Sequence, residues 1–213
     1  MIRILTHRQS DSQFTMRTEG LSTMGHSEVL VEFDHLELIE EAERFLRYVS
    51  DYVLRCGTKL RPEETMRYGY WITEFRNSGE NTLETWEYNA PATNLVKGVS
   101  LTLRYWTDQH SICKQYSANF EPPTLDQVSV VSKGVFEGLP VQGVRYPSDD
   151  QLSGWWITTD QYDGDINSLM NEHNYHITAA RPDLAKYLAL PAGFRFDLSS
   201  FEDVWFEEEV EKA

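Results

Sequence analysis

A chain of 213 residues with 40% apolar and 13% aromatic side chains can bury one large core or two smaller ones, which excludes a disordered polymer. Its net charge of −15 argues against a nucleic-acid or anionic-membrane partner, because such binding needs Lys and Arg to neutralise phosphates. The same charge steers basic proteins towards it.

The acidity is uneven: residues 147–213 hold 14 acidic and 4 basic side chains, against 20 and 15 in residues 1–146. No apolar run approaches the roughly 18 residues that span a bilayer, and the start MIRILTHRQSDSQ lacks the apolar segment of a signal peptide, so a cytoplasmic protein is expected. Cys56 and Cys113 are too few for a disulfide scaffold, lack metal-ligand spacing, and read as buried free thiols.

In chain order, Ile2 to Leu5, Phe14 to Arg17 and Glu28 to Phe33 are strand candidates, the last two separated by the turn GLSTMGHS. A long amphipathic helix follows. Leu36, Ile39, Ala42, Phe45, Leu46, Val49, Tyr52, Val53 and Cys56 form its apolar stripe, Asp34 with Glu37 fits a capping pair, and Gly57 stands as the residue just past the end. Strands are expected around Tyr68 to Phe75 and Thr82 to Tyr88, joined by a turn at Asn77 to Gly79. Val99 to Trp106 and Ser111 to Tyr116 read as a continuing antiparallel meander, and the aromatics Tyr70, Trp71, Trp86, Tyr88, Tyr105 and Trp106 read as core.

Pro122 and Pro123 hold the chain extended and mark a boundary, which divides it into an N-terminal α+β domain over 1–121 and a second over 125–213. Beyond it, Gln127 to Ser132 and Leu139 to Arg145 read as strands, and Trp155 to Ile157 as a buried strand. Pro182 opens a short helix carrying Leu184, Tyr187 and Leu188, Pro191 and Gly193 end it, and Phe194 and Phe196 alternate in a returning strand. The acidic tail FEEEVEK reads as a solvated end. The fold class is therefore α+β, with antiparallel sheets, one long helix in the N-terminal half and a short one in the C-terminal half.

A search for chemistry finds no phosphate loop, nucleophile elbow, paired-Cys motif or metalloprotease helix, so no cofactor and no catalytic residue is assigned. Asp160, Asp163 and Asp165 resemble a hard-cation loop, but the EF-hand register fails. His173 and His176 could join those aspartates as metal ligands, which keeps open a small metal-dependent enzyme or ligand-binding module. Two loop histidines with hydrogen-bonding roles are the plainer reading, and no metal is assigned.

Four stretches carry a resemblance: VSKGV at Val131 to Val135, SGW at Ser153 to Trp155, the segment His173 to His176, and P-x-x-x-x-YLxLPxGxRF from Pro182 to Phe196. Together they resemble the domain-of-unknown-function 2185 family, also called the immunity protein 33-like domain, of bacterial polymorphic toxin systems. The resemblance implies a cytoplasmic antitoxin that blocks a delivered effector by binding it, and it supplies no catalytic residues. Joined to the charge distribution, it points to a cognate toxin with a basic surface. Asp149, Asp150, Asp160, Asp163 and Asp165 are expected to steer the encounter, and Tyr162 and Tyr175 to anchor it.

Overall fold

Among residues 2–10 and 12–212, which this computed structural model describes, seven strands form a first sheet. These are β1 (Arg3–Ser10), β2 (Gln13–Glu19), β3 (Glu28–Phe33), β4 (Thr65–Tyr68), β5 (Trp71–Gly79), β6 (Thr82–Tyr88) and β7 (Leu95–Lys97). The order is β1-β2-β3-β6-β5-β4 with β7 beside β6, and only the β3–β6 pair is parallel. The helix α1 (Ile39–Cys56) turns Phe45, Leu46, Val49 and Val53 towards Phe14, Val31, Phe75 and Leu83 of the sheet. All four are buried, a gain of about 2 kcal/mol for each large side chain. Gly57 ends α1 at φ +60, in the left-handed region.

Three expectations change in this half. Asp34 does not cap α1, which is preceded by a 3-10 turn over Leu36–Leu38. Its carboxylate instead takes the Arg104 guanidinium at 2.9 and 3.0 Å. Cys56 is exposed, and only Cys113 is buried, where desolvation pushes its thiol up to about 11. The largest change is that Val99 to Trp106 and Ser111 to Tyr116 are not strands but one helix, α2 (Ser100–Gln115). Thr102, Tyr105, Gln109 and Ile112 are buried at helical spacing, while the VSLTL alternation matches a strand over only a few residues. The start of α2 is held from far away in sequence. Glu87 of β6 accepts from the backbone N–H groups of Leu101 and Thr102 at 2.9 and 2.7 Å and from the Thr102 hydroxyl at 2.7 Å.

The chain divides into two compact units, Met1–Thr107 and Asp108–Ala213. The second is built on β8 (Val128–Val131), β9 (Val141–Arg145), β10 (Leu152–Thr159), β11 (Met170–His173), β12 (Phe194–Asp197) and β13 (Asp203–Phe206). Their order is β11-β8-β10-β9-β12-β13, with β8 and β10 parallel and the other pairs antiparallel. Between strands lie α3 (Asn174–Ala180) and a 3-10 helix over Pro182–Ala189, which takes the place of the predicted short helix. Trp155, Ile157, Val131, Val141 and Phe196 face the core, with Leu184, Tyr187 and Leu188 buried beside them. The acidic tail is not a free end: Phe206 closes β13, and α4 (Glu208–Glu211) buries Val210. No helix among the described residues is long and apolar enough to cross a membrane.

Candidate functional site

The residues singled out for partner binding sit at the two ends of β10. Asp149 and Asp150 precede it, whereas Asp160, Tyr162, Asp163 and Asp165 follow it. Eight strand residues at about 3.3 Å each put the two groups roughly 25 Å apart. The expected acidic surface is thus two separate clusters. The register places the ring residues with the first one, because Val128 pairs with both Leu152 and His173. Tyr175 lies two residues after His173, and its backbone N–H donates to the Leu125 carbonyl at 3.0 Å.

At the far end the chain crosses from β10 to β11 in a loop built by its own carboxylates. Asp163 accepts from the backbone N–H of Asp165 at 2.9 Å, and Asp165 accepts from the N–H and side-chain amide of Asn167 at 2.9 and 2.8 Å. These are turn-making contacts, so the aspartates shape the loop while their outer oxygens stay in water. Asp160, Asp163 and Asp165 are exposed, Tyr162 is half-buried, and Ile166 at the tip is 65% exposed. Among the described residues, none of the five aspartates enters an ion pair, so their charge is not neutralised from within.

His173 and His176 do not lie in a loop. His173 ends β11 and stands at the start of α3, with Nδ1 at 2.7 Å from the Asp126 carbonyl. His176 lies within α3, with Nδ1 at 3.1 Å from Glu172. Their rings pack with Tyr175, at 5.5 Å for His173 and 4.2 Å for His176. The aspartates of the crossing loop are not part of this cluster. Among the described residues no three His, Cys, Asp or Glu side chains form a group able to hold a metal.

The motif residues do a different job. Ser153 Oγ, Ser129 Oγ and Asn174 Oδ1 form a buried chain with 2.6 Å links, and Asn174 Nδ2 reaches the Thr124 carbonyl at 3.0 Å. Gly154 has φ +81, and a Cβ there would lie 2.1 Å from the Tyr146 carbonyl oxygen. The Trp155 indole N–H donates to the Leu188 carbonyl at 3.0 Å, and Phe196 lies against Gly143, where a Cβ would come within 2.2 Å of its ring. Arg181 donates to the Val135 and Leu139 carbonyls at 3.1 and 2.9 Å and so closes the loop that carries VSKGV. Every one of these contacts fixes the scaffold.

Residues 108–207 match the Imm33-like domain family. The match spans the second half of α2 through β13, beyond the Val131 to Phe196 stretch that the motifs cover. No curated protein and no solved structure matches the chain. Within the Imm33-like region, the SGW and YLxLPxGxRF residues other than Arg195 are core and turn positions, so they report the fold.

Two features of this region were missed in the sequence. Arg145 is largely buried, and its guanidinium donates to the carbonyls of Ser153, Glu121, Leu188 and Leu190 at 2.9, 2.7, 3.2 and 2.5 Å. Desolvation pulls its pKa down to about 10, partly offset by the Glu121 charge. Nothing in the local text flags a clamp whose acceptors are main-chain groups. The second feature is the sheet face opposite the core. Val130, Trp156, Val144, Arg195 and Trp205 pair across β8, β10, β9, β12 and β13 in one row. All five are at least partly exposed, with Trp205 at 37%. Alternation in VQGVR and FRFD was the available signal, because residues at odd spacing from a core position must face away from it.

Proposed function

We propose that this protein is a cytoplasmic immunity protein that neutralises a cognate bacterial toxin by direct binding, without catalysis. The Imm33-like match over residues 108–207 carries this reading. The charge distribution supports the mode of binding: five aspartates at the two ends of β10 present uncompensated negative charge to a basic toxin surface. Asp149 and Asp150 form one steering cluster, and Asp160, Asp163 and Asp165 the other. Between them the half-exposed Trp156 and its valine neighbours offer apolar area that charge alone does not provide, and Tyr162 and Tyr175 stand beside the clusters as anchors. Neither nucleic acid nor a membrane suits a surface of this sign.

The test is co-expression with the product of the adjacent gene, read as growth rescue and as co-purification of the two proteins. Rescue together with a stable complex is the expected result. A chain that neither rescues growth nor co-purifies with that product would overturn the proposal. Rescue without a complex would overturn the binding mode.

A further inference from the structure

We propose that the first unit carries a second site, a groove along the free edge of β4 that takes an extended acidic peptide. β4 ends the strand order of its sheet. Glu64 O accepts from Phe75 N at 3.0 Å, so by the alternation of an antiparallel ladder the N–H and C=O groups of Thr65 and Arg67 point away from β5. A groove of about 420 Å3 lies beside this edge, lined by Thr65, Met66 and Arg67, by Leu60, and by Tyr48 and Tyr52 of α1. Successive strand residues point to opposite faces, so a groove that touches all three follows the edge itself. An incoming strand would gain main-chain hydrogen bonds from the edge and side-chain contacts from the helix wall. Tyr48 and Tyr52 are 45% and 40% exposed and present that wall.

The sign of the occupant follows from the rim. In a chain of net charge −15, residues 55–67 hold four basic side chains, Arg55, Lys59, Arg61 and Arg67, against Glu63 and Glu64. Arg55 is paired with Asp51 at 3.4 Å, while among the described residues Lys59, Arg61 and Arg67 enter no ion pair. Glu64, the acidic lining residue, is turned to the Arg61 N–H at 2.9 Å. An extended segment with acidic side chains on one face and apolar ones on the other meets both the rim and the tyrosines. The site is independent of toxin neutralisation by the second unit.

The experiment titrates the full-length isotope-labelled chain with a capped peptide of about eight alternating Val and Glu residues, and with its Val and Lys counterpart, the length being chosen to outspan β4. The acidic peptide is expected to bind saturably and weaken with salt, and to move the amide resonances of Thr65 and Arg67. In Arg67→Glu, whose unfolding transition should be unchanged, loss of a charge-assisted contact weakens binding by about tenfold or more. Absence of saturable shifts at Thr65 and Arg67, equal affinity for the Lys peptide, or full affinity in Arg67→Glu would each overturn the proposal.

Discussion

The two units remove charges of opposite sign from water. In the first, Glu28 and Glu87 are nearly inaccessible carboxylates. Burial works against the Glu28 charge, but bonds from Ser22, Thr18 and Gly20 hold its pKa below the ordinary value. Glu87 receives N–H donors from the first turn of α2. In the second unit the buried charge is the Arg145 guanidinium, and its hydrogen bonds run to main-chain carbonyls. A carboxylate collects N–H groups, which are free where a helix or turn begins, so it fixes where an element starts. A guanidinium collects C=O groups through a rigid fork of donors, so it gathers segments where they stop. Leu188 and Leu190 lie where the 3-10 helix gives way to the Pro191 turn.

The largest effect should come from removing the cation. Arg145→Met leaves four carbonyls without their donor, and we expect a loss of roughly 4 kcal/mol in urea unfolding. Hydrogen exchange should show the lost protection in residues 108–212, and an equal loss in the first unit would break the contrast.

Next is the pH dependence set by Glu87. Desolvation raises its pKa to about 7, against the donors that favour the charged form. Between its ordinary value of 4.5 and about 7 the folded state binds the extra proton, so stability falls as pH rises through that window. The fall is on the order of 3 kcal/mol. Glu87→Gln should flatten that part of the curve, and a variant as pH-dependent as the parent would show that another group is responsible.

A smaller loss, roughly 2 kcal/mol, is expected for Gly154→Ala, which combines φ +81 with a backbone clash. Gly57→Ala shares the positive φ but meets nothing within 4 Å, so about 1 kcal/mol is expected there. Equal losses at the two glycines, measured by thermal unfolding, would mean that the Tyr146 contact adds no cost.

Much of this architecture was legible in the text. The α1 stripe, the strands flanking the turn at Asn77 to Gly79, and the closing P-x-x-x-x-YLxLPxGxRF segment each combine local propensity with periodicity, and those signals need no tertiary information. The helix α2 was not legible, because Val, Thr, Tyr and Trp favour strands and the cap that starts it arrives from β6. Pro122 and Pro123 lie inside the second unit, where Glu121 N bonds the Ala189 carbonyl at 2.9 Å. The ten-position gap between Asp150 and Asp160 becomes a separation of two clusters only because the eight-residue β10 runs extended through it, which the acidic spacing alone does not show. The clamp at Arg145 had no signal at all, since main-chain acceptors leave no mark on residue identity.

The most direct measurement is the association rate of the purified protein with its cognate toxin at several salt concentrations, compared with the variant carrying Asn at 149, 150, 160, 163 and 165. We predict a fast, salt-sensitive rate that drops by about tenfold or more in the variant and loses most of its salt dependence, while the dissociation rate changes little. Rates and salt slopes that coincide for the two proteins would contradict the acidic docking surface.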